Sequence, residues 1–151
     1  MTRKLISILF LFVCFQAHSG TYQIDGDFDG CEYGKIYPLM NVGILECQEY
    51  QYFYEYSPEV RTDGREVITI GNQRVRAVLR DGSVMKTTVS SEFEGCDFDR
   101  RISFDNGLIF VCDSYSYTYS YRPDVKIFFV SGRTPEVYID GEKYSGMLYK
   151  R

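Results

Sequence analysis

Short stretches that alternate apolar and polar residues run along most of this chain and predict β-strands. Four stretches are rich in Val, Ile and Phe, at residues 66–70, 74–79, 126–130 and 136–139. Turn-forming pairs separate them: Asp63-Gly64, Gly71-Asn72, Asp81-Gly82, Ser131-Gly132 and Asp140-Gly141. Strands at such short intervals are typical of an antiparallel sandwich or barrel. No window has the sustained i, i+3, i+4 apolar spacing of a helix, so the fold class is all-β.

A tight hairpin is predicted at Asp105-Asn106-Gly107, between the apolar residues 102–104 and 108–111. Asn-Gly supplies the positive φ angles that a two-residue type I′ turn requires. The join at residues 83–91 contains Val84, Met85 and Val89 and indicates a further strand rather than a flexible tether.

Two segments, residues 50–56 and 115–121, alternate tyrosine with other residues; we call them the first and second tyrosine segments. Alternate side chains of a strand share a face, so each segment aligns four phenol rings: Tyr50, Tyr52, Tyr54 and Tyr56, then Tyr115, Tyr117, Tyr119 and Tyr121. In the second segment the opposite face carries Ser116, Thr118 and Ser120. We expect that hydroxyl face to be the solvated one, with the tyrosines directed inward or toward a partner. Half-buried packing and an exposed recognition strip both fit the pattern.

The tyrosine segments belong to a longer internal duplication. A shift of 65 positions aligns residues 27–60 with 92–125 without a gap, and 12 of the 34 pairs are identical, where chance gives roughly two. The shared residues include Phe28/Phe93, Gly30/Gly95 and Pro58/Pro123, and each proline is expected to end its strand. Such a repeat predicts two pseudo-twofold β units, residues 20–83 and 84–151, packed together as one compact unit because a unit of about 65 residues is marginal alone.

Cysteines recur at the same spacing in both copies. Cys31 and Cys47 are 16 residues apart, as are Cys96 and Cys112, which favours one disulfide within each copy. A straight hairpin would place the second pair about 17 Å apart, beyond the roughly 7 Å limit between Cα atoms. Either the segment around Cys96 folds back over the sheet, or the bridges join the copies as Cys31–Cys96 and Cys47–Cys112. Zinc is disfavoured because no pair has the spacing of a zinc site.

The N-terminal residues predict export. Arg3 and Lys4 precede an apolar run at residues 5–15, and Ala17 and Ser19 form a small-x-small cleavage site. This layout is that of a secretory signal peptide at residues 1–19, and the run is shorter than the about 20 residues of a membrane span. We therefore predict a periplasmic or secreted protein whose mature chain begins near Gly20. An even number of cysteines in that oxidising compartment favours disulfides.

Removing the signal peptide changes the chemistry that the chain can perform. It takes away the only histidine, His18, and two of the 17 basic residues, which leaves 15 against 21 acidic residues and a net charge near −6. Such a chain with no basic run repels phosphates, so no nucleic-acid partner is expected. Without histidine, neither a Ser-His-Asp triad nor a histidine-ligated catalytic metal can be built. We predict a protein that is not an enzyme and needs no cofactor.

One motif remains open. Asp25, Asp27 and Asp29 match the start of a calcium-binding loop. The twelfth position of that loop, which should be a bidentate Glu, is Ile36. A solvated acidic turn is the better account, with weak calcium binding as its alternative.

These observations favour a small exported binding protein that engages another protein, in the manner of an inhibitor, immunity or assembly factor. Its acidity favours a basic partner. The alternatives are a glycan or cell-wall binding module that uses the tyrosine segments, and a structural component of the cell envelope.

Overall fold

A computed structural model describes residues 19–41 and 43–150, so the predicted signal peptide lies outside the described residues except for Ser19. All regular elements within these ranges are short β-strands, as the alternating pattern predicted. They are β1 (Ser19–Gln23), β2 (Asp27–Phe28), β3 (Ile36–Pro38), β4 (Ile44–Cys47), β5 (Glu55–Tyr56), β6 (Glu59–Asp63), β7 (Glu66–Ile70), β8 (Gln73–Arg80), β9 (Gly82–Thr88), β10 (Glu92–Phe93), β11 (Arg101–Ser103), β12 (Leu108–Cys112), β13 (Ser120–Tyr121), β14 (Asp124–Val130), β15 (Glu136–Ile139), β16 (Glu142–Tyr144) and β17 (Gly146–Lys150). Within the same ranges no helix could cross a membrane.

Six of the eight strands in the first half of the molecule, β1 to β8, form one antiparallel sheet in the order β1-β6-β7-β8-β4-β3, and β2 pairs with β5. The sheet curls into a half-barrel, because an isolated bridge between Ile24 and Leu39 brings the end of β1 to the end of β3. Its interior is an apolar cluster that includes Ile24, Phe28, Leu45 and Ile70.

The second half, β9 to β17, contains two larger antiparallel sheets. One has the order β16-β15-β14-β9 and the other the order β11-β12-β17, and β10 pairs with β13. An isolated bridge between Val89 and Phe104 links the two sheets. The enclosed cluster includes Phe93, Phe110 and Ile127, so each half has its own hydrophobic core.

A smaller apolar cluster lies between the halves. Ile36 and Ile44 from the first half pack with Phe128 and Val130 from β14. Tyr138 stands edge-on to Phe128, with the ring centroids 5.2 Å apart.

Most of the predicted strands are found where the sequence placed them. The predictions at 66–70 and 136–139 coincide with β7 and β15, and those at 74–79 and 126–130 lie within β8 and β14. The join forms β9, as expected.

The two-residue hairpin predicted at Asn106-Gly107 is wrong. Arg101 pairs with Val111, and Phe104 N–H donates to Leu108 O, so the loop contains three residues. Only Gly107 has a positive φ, of 84°, which is the left-handed residue of a three-residue loop. The two-residue geometry with two positive φ angles occurs instead at Asp140 and Gly141.

A buried carboxylate joins the two halves. Glu46 of β4 has a side chain only 6% exposed and is paired with Arg80 of β8. Arg133, from the loop between β14 and β15, donates to both carboxylate oxygens at 3.1 Å. Burial by itself raises the pKa of Glu46, but the hydrogen bonds and positive charges of the two arginines outweigh it and hold this pKa below its usual value.

Replacing this carboxylate should therefore weaken the fold. We expect Glu46→Gln to lower the free energy of unfolding by about 2 kcal/mol at pH 7, because it removes the charge from the acceptor of three charge-assisted hydrogen bonds, one from Arg80 and two from Arg133. Glu59→Gln is the matched control: its pair with Arg61 is exposed on both sides, and such pairs contribute about 0–1 kcal/mol. Urea unfolding of the three proteins measures the difference.

Acidification provides a second readout of the same variant. Since the folded-state pKa of Glu46 is lowered from 4.5, its contribution is complete above that value and is lost as the pH falls through the folded-state pKa. The difference in the free energy of unfolding between wild type and Glu46→Gln should therefore shrink as the pH is lowered. A difference that grows on acidification, or an equal loss in the Glu59→Gln control, contradicts the assignment.

Candidate functional site

The tyrosine segments are attached to the fold through the disulfide loops. Cys31 and Gln51 exchange two backbone hydrogen bonds, of 2.7 and 2.9 Å. In the second half Ser116 N–H donates to Cys96 O at 2.9 Å, while Cys96 N–H donates to the Ser116 hydroxyl at 3.1 Å. The cysteines that pair with the tyrosine segments are therefore the same ones that form the disulfides.

The local disulfide pairing favoured by the spacing is confirmed. Cys31 is bonded to Cys47 with their Cα atoms 5.4 Å apart, and Cys96 to Cys112 with theirs 5.6 Å apart. The alternative bridges between the copies are not formed. The segment around Cys96 leaves the β11–β12 hairpin and runs beside Ser116, which resolves the distance problem of a straight strand.

A glycine precedes each of these cysteines because the tyrosine segment passes directly against it. Gly95 has a φ of 83°, and a Cβ atom there would lie 2.1 Å from Ser116 O. At Gly30, with a φ of 105°, the Cβ atom would lie 2.8 Å from Gln51 O. Both the backbone conformation and the close approach exclude a side chain at these positions.

All eight predicted binding tyrosines are exposed, between 62% and 83% of their surface: Tyr50, Tyr52, Tyr54, Tyr56, Tyr115, Tyr117, Tyr119 and Tyr121. The expectation that they point inward as half-buried sheet packing is wrong. The structure places them as two strips of phenol rings that face solvent.

The opposite face of each segment is the one that packs. Phe53 lies against the buried Phe28, with ring centroids 4.7 Å apart. In the second segment Ser116, Thr118 and Ser120 are half-buried, so the hydroxyl face is not the solvated one. Ser116 lies inside because its hydroxyl accepts a backbone hydrogen bond, which offsets the loss of water.

The segments are also not continuous strands. Their final residues form β5 and β13, whereas residues 52–54 and 117–119 pair with no strand of the described chain. Two residues separate Phe93 from Cys96, but three separate their partners Ser120 and Ser116 on the tyrosine segment. This mismatch is the extra residue of a β-bulge, and it lies on the tyrosine side in both halves.

Sequence analysis missed two further exposed aromatic residues. Tyr33 and Phe98, in the turns after Cys31 and Cys96, are 79% and 67% exposed. They are 65 residues apart, the same shift that aligns the two tyrosine segments, and comparison of residue class rather than identity at this shift would have found them.

A shallow cavity of about 300 Å³ lies along the second tyrosine segment. Its lining includes Tyr115, Tyr117 and Tyr119 of the segment, together with Glu94, Asp97 and Arg100 from the chain around Cys96. The Arg100 guanidinium donates to the backbone carbonyls of Glu94 and Gly95 at 3.4 and 3.3 Å.

The acidic turn does not gather its carboxylates. Asp25 pairs with Lys86, Asp27 accepts a hydrogen bond of 2.8 Å from the Tyr54 hydroxyl, and Asp29 pairs with Lys35 at 2.9 Å. The described residues contain no group of three or more side chains that could hold a metal ion.

Near this turn, Asp29 and Tyr37 are hydrogen-bonded to each other and both have shifted pKa values. The Tyr37 hydroxyl donates to Asp29 at 2.6 Å and also to Gly30 O. Burial and the Asp29 charge raise the pKa of Tyr37. Burial raises the pKa of Asp29, but the hydrogen bonds from Tyr37 and Lys35 outweigh it and the net shift is downward. The pair thus anchors the Gly30 turn to β3.

This surface presents aromatic rings and carboxylates to solvent. The arrangement suits recognition of a partner, and the absence of catalytic activity stays a prediction. Comparison with protein-family models, curated proteins and solved structures found no match.

Gly95→Ala tests the close contact behind the second tyrosine segment, and Gly107→Ala is a control with nearly the same φ. At Gly107, φ is 84° and nothing lies within 4 Å of an added Cβ, so only the left-handed conformation costs about 1–2 kcal/mol. Gly95→Ala should lose a further 1–3 kcal/mol, roughly, from overlap with Ser116. Denaturant unfolding measures both, and equal losses would contradict the contact.

Proposed function

We propose that this chain is an exported, non-catalytic binding protein that engages another protein through its tyrosine segments. The observation that carries the proposal is the exposure of all eight tyrosines, 62% or more in each case. None of them is needed to fill either core.

Exposed aromatic strips of this kind are unusual on a surface that faces only water. Contiguous apolar patches on soluble proteins commonly mark interaction sites. Tyrosine is enriched at protein interfaces, because it supplies a large, rigid contact area at a low cost in conformational entropy. The disulfide and glycine contacts behind the segments hold the rings before any partner arrives.

The proposal includes the duplication and its pseudo-twofold relation. The pairing of Tyr22 with Val60 in the first half has its counterpart 65 residues later, where Thr87 pairs with Val125. Ser57 and Arg122, also 65 residues apart, have φ angles of 48° and 47°. Both halves thus support the proposal that one ancestral unit presented one tyrosine segment.

Compartment and charge indicate the kind of partner. The two disulfides are consistent with an oxidising extracellular compartment, as the proposed signal peptide requires. With a net charge near −6 after its removal, the protein should meet a basic partner faster and in a preferred orientation.

A second candidate function is glycan binding. The cavity at the second tyrosine segment favours it, because phenol rings and carboxylates line the same depression. Aromatic faces can stack on sugar rings, and carboxylates can accept hydrogen bonds from hydroxyl groups.

Tyr117→Ser/Tyr119→Ser tests the role of the second tyrosine segment. Because both rings are exposed, each substitution should lower the free energy of unfolding, measured in urea, by less than about 0.5 kcal/mol. Retention of a stoichiometric protein partner from a periplasmic or secreted extract should be lost. The control is Tyr149→Ser, which removes an exposed tyrosine of β17 outside the segments and should retain the partner.

Each other outcome has a definite meaning. Retention on peptidoglycan or polysaccharide, lost in the double variant, supports the glycan candidate instead. A double variant that unfolds contradicts the assignment of the rings to the surface, and unchanged retention contradicts their part in binding.

A further inference from the structure

We propose that the cavity along the second tyrosine segment is a subsite for a cationic side chain, lysine or arginine, of the protein partner. This inference rests on the proposed function, since it specifies which chemical group of the partner the segment receives. It also distinguishes the second tyrosine segment from the first.

The aromatic residues of the cavity suit a cation. Tyr115, Tyr117 and Tyr119 all line it and are exposed, and alternate residues of an extended chain are about 6.7 Å apart. A cation attracts the face of an aromatic ring when it lies within about 6 Å of the ring centroid. Two neighbouring rings can therefore flank one ammonium or guanidinium group together with its aliphatic stem.

The lining also supplies negative charge that is not already paired. Among the salt bridges of the described residues, none involves Glu94 or Asp97. Asp97 accepts a hydrogen bond only from the backbone N–H of Phe98 in the described part of the chain. Arg100 is the one cation of the lining, and its guanidinium is directed at carbonyl oxygens. The charged lining residues therefore leave a net charge of −1.

The corresponding positions beside the first tyrosine segment are arranged differently. Asp29 stands 65 residues before Glu94, but its carboxylate pairs with Lys35 and accepts from the Tyr37 hydroxyl. On the same segment the Tyr54 hydroxyl donates to Asp27. Glu32, which aligns with Asp97, is in no salt bridge of the described residues, so one of the two aligned carboxylates is unpaired there against two at the second segment. We therefore assign the subsite to the second segment.

The size of the cavity fits one side chain. At about 300 Å³ it lies at the lower limit of pockets that hold small-molecule ligands. Glu94, Asp97 and the three tyrosines are all exposed, so the occupant must be covered from outside by the rest of the partner. An anionic occupant would face two carboxylates, and like charges in contact are unfavourable.

The test uses the mature protein and defined probes. N-acetyl-lysine methylamide and N-acetyl-arginine methylamide are titrated while nuclear magnetic resonance follows backbone and tyrosine signals. N-acetyl-citrulline methylamide, a neutral analogue of the arginine probe, is the matched ligand control. We expect concentration-dependent shifts at residues 94–100 and 115–119 with the cationic probes, and none of comparable size with citrulline or at residues 50–56.

Charge removal at the subsite should weaken binding selectively. Glu94→Gln/Asp97→Asn is expected to weaken the affinity for the arginine probe about fivefold or more, because both carboxylates face the cation. The matched variant Glu32→Gln/Glu55→Gln removes two exposed charges from the first half and should leave the affinity unchanged. Its use separates a local contact from the effect of net charge.

Three results with the amino-acid probes would overturn the subsite. They are equal shifts with citrulline, equal shifts at both tyrosine segments, and equal weakening by both charge variants. Binding of a neutral oligosaccharide such as chitotriose at the same residues, without an effect of the cationic probes, would overturn it in favour of a glycan. If the cationic probes bind as expected but no protein partner is retained from extract, the subsite stands and the proposed function fails. If a partner is retained but the probes do not bind, the reverse holds.

Discussion

The structure depends on the close backbone contact between each glycine–cysteine turn and the tyrosine segment beside it. The contact requires three properties at once. They are a left-handed glycine, a cysteine paired with the segment, and a disulfide from that cysteine to the hairpin that follows the turn. Gly95, Cys96 and Cys112 supply them in the second half. In domains of this size the hydrophobic core gives only a small margin of stability, and a disulfide that closes a loop of about 15 residues adds about 3 kcal/mol. The covalent bond therefore supports the part of the fold that presents the rings.

Exposure of the tyrosines follows from how this contact uses the other face of the segment. Phe53 fills space above Phe28 in one half, and Ser116 accepts a backbone hydrogen bond in the other. Once those residues face inward, alternation directs every tyrosine outward. The bulge leaves the middle of each segment without a paired strand in the described residues, while the glycine turn packs against its backbone. The contact that orders the segment therefore also leaves its rings facing solvent.

Much of the fold could be predicted from the sequence, because strands and turns depend on local residues. The limits of β7 and β15 agree with the prediction to the residue, and equal cysteine spacing identified the disulfides. The inward face of the tyrosine segments could not be predicted. Periodicity shows which side chains share a face but not which face has the partners that make burial favourable. Ser116 is half-buried only because Cys96 N–H lies beside it, a contact between residues 20 positions apart.

Contacts between residues still further apart in the sequence could not be predicted either. Arg133 meets Glu46 across 87 residues, and nothing in either local sequence indicates the other. The same limit applies to the cavity at the second tyrosine segment, whose lining combines residues 94–100 with residues 115–119. The candidate site was therefore predicted as a set of tyrosines, while its acidic side emerged only from the fold.

The two halves share a scaffold but differ in the charges around it, and this difference bears on how a partner would be selected. Aromatic rings alone give contact area with little discrimination, since many apolar surfaces can cover them. Free carboxylates beside one strip add a penalty for any partner group that leaves them unpaired. In the first half this penalty is smaller, because Lys35 already pairs with Asp29. A partner that spans both strips would then gain area from the first and orientation from the second. Two modest contacts on one rigid body reinforce each other when geometry allows both to form at once.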